Sequence, residues 1–212
     1  MKLSPFRFAC ALAAPLLLTT ALLALALATL AQAADAPPAR IRGTIEAVAG
    51  DQLTIKSNQG EDLAVTMNAD TTVRAITLAR IADIQPGRYI GATAVPQADG
   101  TLKALEVHVF PPEMAGAGDG HRPWDLAPNS SMTNGVVGEL VTSNGRMITI
   151  KYKGGEQKVA IPDDMPVVNI EAGDRSLLTP GVHVMVFAVK NDYGTFTARS
   201  ISAGKDGIKP PM

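Results

Sequence analysis

The chain has 212 residues, with 19 Lys and Arg against 20 Asp and Glu, a net charge of −1 and a single cysteine. Lys2, Arg7 and Cys10 all fall in an N-terminal segment read below as removed, which leaves Ala34–Met212 with 17 cations, 20 anions and no thiol. This inventory excludes a disulfide framework, a thiolate metal site and a cysteine nucleophile. The acidic balance argues against a general nucleic-acid binder, which needs a net basic surface or stripe.

Lys2 and Arg7 precede an Ala- and Leu-rich apolar stretch from about Cys10 to Leu30, closed by Ala31-Gln32-Ala33. A positive start, an apolar core and a small-x-small ending are the layout of a secretory signal peptide. Residues 1–33 are therefore expected to be cleaved, delivering the protein across the inner membrane to the periplasm. The stretch is about 20 residues, long enough to span a bilayer, so retention as an anchor is the alternative. No second apolar span follows, and no membrane span is expected after cleavage.

Beyond the signal the chain repeats itself at an offset of about 94 residues, the kind of self-similarity to be sought before anything else. Leu53-Thr54-Ile55-Lys56 returns as Ile148-Thr149-Ile150-Lys151, Pro86-Gly87 as Pro180-Gly181, and Gly100-Thr101-Leu102 as Gly194-Thr195-Phe196. Two copies, residues 40–110 and 133–204, are joined by a Gly/Pro-rich loop, 111–132, and followed by a tail, 205–212. In the first copy Ile41, Gly43, Ile45 and Ala47 alternate with polar residues, which predicts a half-buried strand. Turn chemistry at Ala49–Gln52 leads to a second strand at Leu53 and Ile55. Asn144-Gly145, a strong hairpin signal, takes that turn's place in the second copy. A third strand carries Leu63, Val65 and Met67. Leu78, Ile81 and Ile84 then stand at helical spacing before Pro86-Gly87. Two last strands cover about Arg88–Val95 and Leu102–Phe110, with counterparts at Val182–Val189 and Phe196–Ile201. Three strands, a short helix and two strands form the order of an OB-fold, a five-stranded Greek-key barrel. The expected fold is all-β, with a short helix per repeat, in two tandem OB-like five-stranded barrels.

The runs Gly43-Thr44-Ile45-Glu46-Ala47-Val48, Leu53-Thr54-Ile55, Ile84-Gln85-Pro86-Gly87 and Gly100-Thr101-Leu102-Lys103-Ala104-Leu105-Glu106-Val107 resemble the bacterial domain of unknown function 5666 family. The resemblance covers both repeats but neither the signal nor the linker. It implies an OB-like, exported domain often present in tandem. No established activity comes with it, so it transfers no functional residue.

Candidate chemistry concentrates in the linker. His121-Arg122-Pro123-Trp124-Asp125 is too rich for a spacer, and a structureless connection of this length is usually functional or disordered. Three readings stand side by side. In the first, Trp124 is a staple against a barrel, with Arg122 paired to Asp119 or Asp125. In the second, His121, Arg122, Trp124 and Asp125 contact a small ligand, the cations meeting an anion over the indole face. In the third, Met114, His121 and Met132 hold Cu(I) or Ag(I), since thioether and imidazole suit soft metals. That ingredient set resembles the small periplasmic copper and silver carriers of efflux systems. It departs from them because no Met-x-Met occurs and the candidates lie on a loop.

Enzyme motifs are missing: no Gly-x-Ser-x-Gly elbow, HExxH or phosphate-cradling glycine loop occurs. Asp163-Asp164 reads as a turn, and Ser130 and Ser131 lack the context of a triad. Leu105, Val107 and Val109 define one face of their strand, which places His108 and Glu106 outside as a solvated pair. His183 among valines could face a neighbouring element. The residues thus point to an exported, non-catalytic binding or scaffold module of the cell envelope that takes no nucleic acid and meets a small ligand or an envelope protein near the linker. A periplasmic copper or silver carrier is the alternative.

Overall fold

The computed structural model describes residues 38–142, 146–191 and 194–212. The signal segment 1–33 lies outside these residues, as does the Asn144-Gly145 turn. Each repeat supplies six strands. The first gives β1 (Ala39–Ala49), β2 (Gln52–Ser57), β3 (Asp62–Thr66), β4 (Thr72–Leu78), β5 (Tyr89–Pro96) and β6 (Leu102–Val109). The linker gives β7 (Gly120–Pro123). The second repeat gives β8 (Ser131–Val141), β9 (Arg146–Tyr152), β10 (Gly155–Ile161), β11 (Val167–Ala172), β12 (His183–Lys190) and β13 (Phe196–Gly204). Among the described residues, no helix is long and apolar enough to cross a membrane.

Alternation builds the strands. Ile41, Gly43 and Ile45 turn inward on β1 while Arg42 and Thr44 stay half-exposed, as the two-residue period of a strand requires. The hydrogen-bonded ladder then closes on itself twice. One ring runs β1–β2–β3–β13–β12, and the other runs β8–β9–β10–β6–β5. Each is antiparallel except at one seam, where Phe196 lies beside Val65 and Leu102 beside Val159 in parallel. This is the Greek-key order of a five-stranded barrel.

The all-β reading therefore holds, but a repeat does not close its own barrel. Each ring takes three strands from one repeat and two from the other. Two buried cores confirm the exchange. Ile45 and Ile55 pack with Val186 and Ile201 in the β1 ring, and Ile90 and Val107 pack with Ile148 and Ile150 in the β8 ring. Every one of these side chains is essentially inaccessible, and burying each is worth about 1.5–3 kcal/mol.

The repeats are related in register as well as in sequence. Val107 pairs with Val167 between β6 and β11, and Ile201 pairs with Val73 between β13 and β4. The bulge between Thr93 and Ala94 returns between Phe187 and Ala188. β4 and β11 meet antiparallel with Ile76 opposite Ile170, its own counterpart. A pseudo-twofold axis passes through that pair, and the β4–β11 ladder bridges the two rings.

β4 and β11 are strands that the sequence did not disclose. The helix expected from Leu78, Ile81 and Ile84 is a single 3-10 turn, Ile81–Asp83, matched by Arg175–Leu177 in the second repeat. Ile76, Val168 and Ile170 face away from both ring interiors. They join Tyr89, Phe110, Trp124, Met132 and Met185 in a third core between the rings. The linker and tail 205–212 cover this core, and Met212 itself is buried in it.

Candidate functional site

The third core is incompletely filled. A cavity of about 340 Å³ lies under the linker, between the outer faces of the two rings. Its apolar wall includes Phe110, Met132, Ile170 and Phe187, and its polar wall includes Arg74, His108, Arg122 and Asn134.

β7 makes the linker a roof. The expected loop contains this short strand, which pairs with β8 so that His121 lies opposite Thr133 and Arg122 opposite Met132. Successive residues of a strand point to opposite faces. Arg122 and Trp124 therefore turn to the cavity, and His121 and Asp125 turn away. His121 is exposed, bonds Thr133 Oγ1 through Nδ1 at 2.8 Å and lies parallel to Tyr152 with ring centroids 6.3 Å apart. Burial, then the Arg122 charge, holds the imidazole below its ordinary pKa. Asp125 is bidentate to Arg42 at 2.7 and 3.2 Å and lies 3.6 Å from Arg40. Burial opposes its ionisation, but the Arg42 hydrogen bond and the two guanidinium charges outweigh that, and its pKa falls below the usual carboxylate range.

The expected linker set is thus divided. Arg122, Trp124, Met114 and Met132 line the cavity, whereas His121 and Asp125 do not. The pairing of Arg122 with Asp119 or Asp125 is also replaced: Arg122 donates to the Gly118 carbonyl at 2.7 Å. The soft-metal set loses its imidazole, because the strand geometry that turns Arg122 inward turns His121 outward. Among the described residues, no three His, Cys, Asp or Glu side chains converge as a metal site.

Trp124 combines two of the earlier readings. It is only 9% exposed, so it is a staple, yet its buried indole is also cavity wall. The Arg40 guanidinium sits 3.9 Å from the indole centroid and Arg122 lies 5.7 Å from it, within cation–π range. Ser130 closes the following loop by donating to the Trp124 carbonyl and accepting from Ala127 N–H. Burial, then the Arg40 charge, lowers the Arg122 pKa. Tyr89 donates to the Ala117 carbonyl at 3.2 Å, and burial, then Asp119, pushes its pKa up to about 12.

The floor beside β6 corrects another expectation. Glu106 and His108 are buried, not solvated. The bulge at Leu105 shifts the strand's phase, so that Leu102, Ala104, Val107 and Val109 fill the β8 ring. Glu106, His108 and Phe110 occupy the opposite face, which the third core and cavity cover. Glu106 accepts from Thr93 Oγ1 at 2.5 Å and contacts His108 Nδ1 at 3.2 Å. The imidazole lies over Gly91, where a Cβ would collide with it and with Asn134 Oδ1. Asn134 donates to the Ala117 carbonyl, but its Oδ1 has no partner among the described residues, nor does Trp124 Nε1. His183 instead meets Thr44 Oγ1 at 2.9 Å, in the β1 ring.

Sequence reasoning missed Arg74, His108 and Asn134 as cavity residues. A signal was available in the repeat. At the outer-face positions where the rings meet the cavity, the two copies disagree: Arg74 against Val168, His108 against Ser202 and Phe110 against Gly204.

Residues 42–108, within the first repeat, match the family described as Domain of unknown function (DUF5666). No curated protein and no solved structure gives a match.

Proposed function

We propose that this chain, whose first repeat is a DUF5666 domain, is an exported, non-catalytic binding module of the cell envelope. On this reading the cavity under the linker is its ligand site. The supporting observation is the cavity itself: largely apolar walls with a few polar residues among them, Arg74, His108, Arg122 and Asn134. That is the usual make-up of a small-molecule site, and about 340 Å³ falls at the small end of the usual range. The buried Glu106 and His108 fit a supporting role, since both Glu106 oxygens are engaged inside the fold.

The test is a thermal-shift screen of Ala34–Met212 against small organic compounds, with Trp124 fluorescence as a local reporter. A ligand at 100 times its Kd stabilises by about 2.7 kcal/mol. At about 2–4 °C per kcal/mol for a chain of this size, Tm rises by roughly 5–11 °C. Ser202→Phe, which fills the cavity from β13, is expected to abolish the shift while keeping the native far-UV spectrum. Shifts that survive Ser202→Phe would place binding elsewhere, and a screen without any shift would refute the reading.

A further inference from the structure

We infer that the cavity takes a small amphipathic organic monoanion, a carboxylate on an apolar body, and that Arg74 and Arg122 receive its charge. This inference rests on the binding reading above and narrows it.

Charge is the first argument. No Asp or Glu side chain lines the cavity, whereas two guanidinium groups do. Arg74 forms no side-chain hydrogen bond or ion pair with any described residue, although it is half-buried. Asp174 lies along a neighbouring groove that Arg74 also borders, but the two form no ion pair, and Asp174 Oδ1 accepts from Ser176 N–H at 2.7 Å. Arg122 spends one donor on the Gly118 carbonyl, leaving most of its five N–H groups available. The main-chain oxygen of Met212 accepts from Arg42 Nε at 2.8 Å.

Placement is the second argument. The counterpart of Arg74 in the second repeat is Val168, buried in the third core. The scaffold is therefore satisfied by an aliphatic residue at this position, and the guanidinium is an addition on the cavity side. An unpaired cation against an apolar wall is costly unless something completes it. A carboxylate matches the guanidinium fork, and the bond is charge-assisted.

Size and walls set the remaining chemistry. A cavity of about 340 Å³ with two guanidinium groups and a largely apolar lining suits a single carboxylate on a short apolar body. Met132, Phe110 and Phe187 then accommodate the apolar body.

The test titrates Ala34–Met212 with three probes of one chain length, octanoate, 1-octanol and octylamine, at submillimolar concentration, read by calorimetry and Trp124 fluorescence. Octanoate is expected to bind at least tenfold more tightly than 1-octanol, with octylamine weaker than both. Arg74→Gln should bring octanoate down to the affinity of 1-octanol, with a native far-UV spectrum showing that the variant is folded. Arg122→Gln should reduce the advantage. Equal affinities for octanoate and 1-octanol, or an advantage that survives Arg74→Gln, would overturn the anion assignment while leaving the cavity as a binding site. Failure of all three probes to bind would overturn the assignment and the binding reading together.

Discussion

Replacing Glu106 with Ala tests whether the outer face of β6 is truly interior. In the native fold the carboxyl is inaccessible, accepts from Thr93 Oγ1 at 2.5 Å and contacts His108 Nδ1 at 3.2 Å, with His108 only 4% exposed. The substitution strands the threonine hydroxyl and the imidazole nitrogen. A stranded buried polar group costs about 1–3 kcal/mol. Two are stranded here, so the expected destabilisation is about 2–6 kcal/mol. At about 2–4 °C per kcal/mol, Tm falls by roughly 4–24 °C. Glu106→Gln keeps an acceptor for Thr93 and should fall between Ala and wild type. Asp163→Ala removes an exposed carboxylate from Arg146 and serves as a control without measurable effect. Far-UV circular dichroism during thermal and urea unfolding provides the readout. A Glu106→Ala loss below about 1 kcal/mol, with an unchanged urea slope, would show that water reaches the carboxylate and would refute a buried β6 outer face.

Three further outcomes are expected. A protease site inserted after Gly116, in the exposed turn of the linker, should give two fragments that stay together on gel filtration after cleavage, because each ring needs strands from both; fragments that separate with intact sheet spectra would refute the exchange. Gly43→Ala and Gly135→Ala should each destabilise by about 1–3 kcal/mol, since a Cβ would strike the Lys56 and Lys151 carbonyls respectively, and a neutral result at either would refute the strand approach there. His121 should titrate below 6.5 by NMR because burial and then the Arg122 charge disfavour its proton. The unfolded chain then takes up that proton first, so the stability this group contributes is present above pH 6.5 and lost as pH falls through the folded pKa; a measured pKa at or above 6.5, or no rise in Arg122→Gln, would refute the assignment.

The strands of both rings were readable wherever one face is apolar and the other polar. β1, β2, β3, β5 and β6 stand close to where alternation placed them. β4 was not readable, because Val73 enters the β1 core while Ile76 and Arg74 face the third core and cavity. With two covered faces the polar half of the pattern disappears. The same cause misplaced Glu106 and His108: they do face away from the ring interior, but that side is another interior. Strand exchange left no local trace. A repeat that closes on itself and one that closes on its neighbour satisfy the same pairings, so hydrophobic pattern specifies which kind of strand pairs, and the connections decide which copy supplies it. In the linker, composition drew attention to Arg122 and Trp124, which line the cavity. What composition lacked was β7, whose alternation separates them from His121 and Asp125.

Two-lobed binding proteins often capture ligands by rotating their lobes about a hinge. Here the chain passes from one ring to the other twice, through β4 and through β11, and those two strands are paired over five residues. A rotation that opened the floor would have to break that ladder. The floor therefore keeps a fixed shape, while the roof of β7, the Trp124 loop and the tail is held to the rings by its pairing with β8 and its bonds to Arg42. If the cavity is the ligand site proposed above, entry requires those few roof contacts to break while the β4–β11 ladder stays intact.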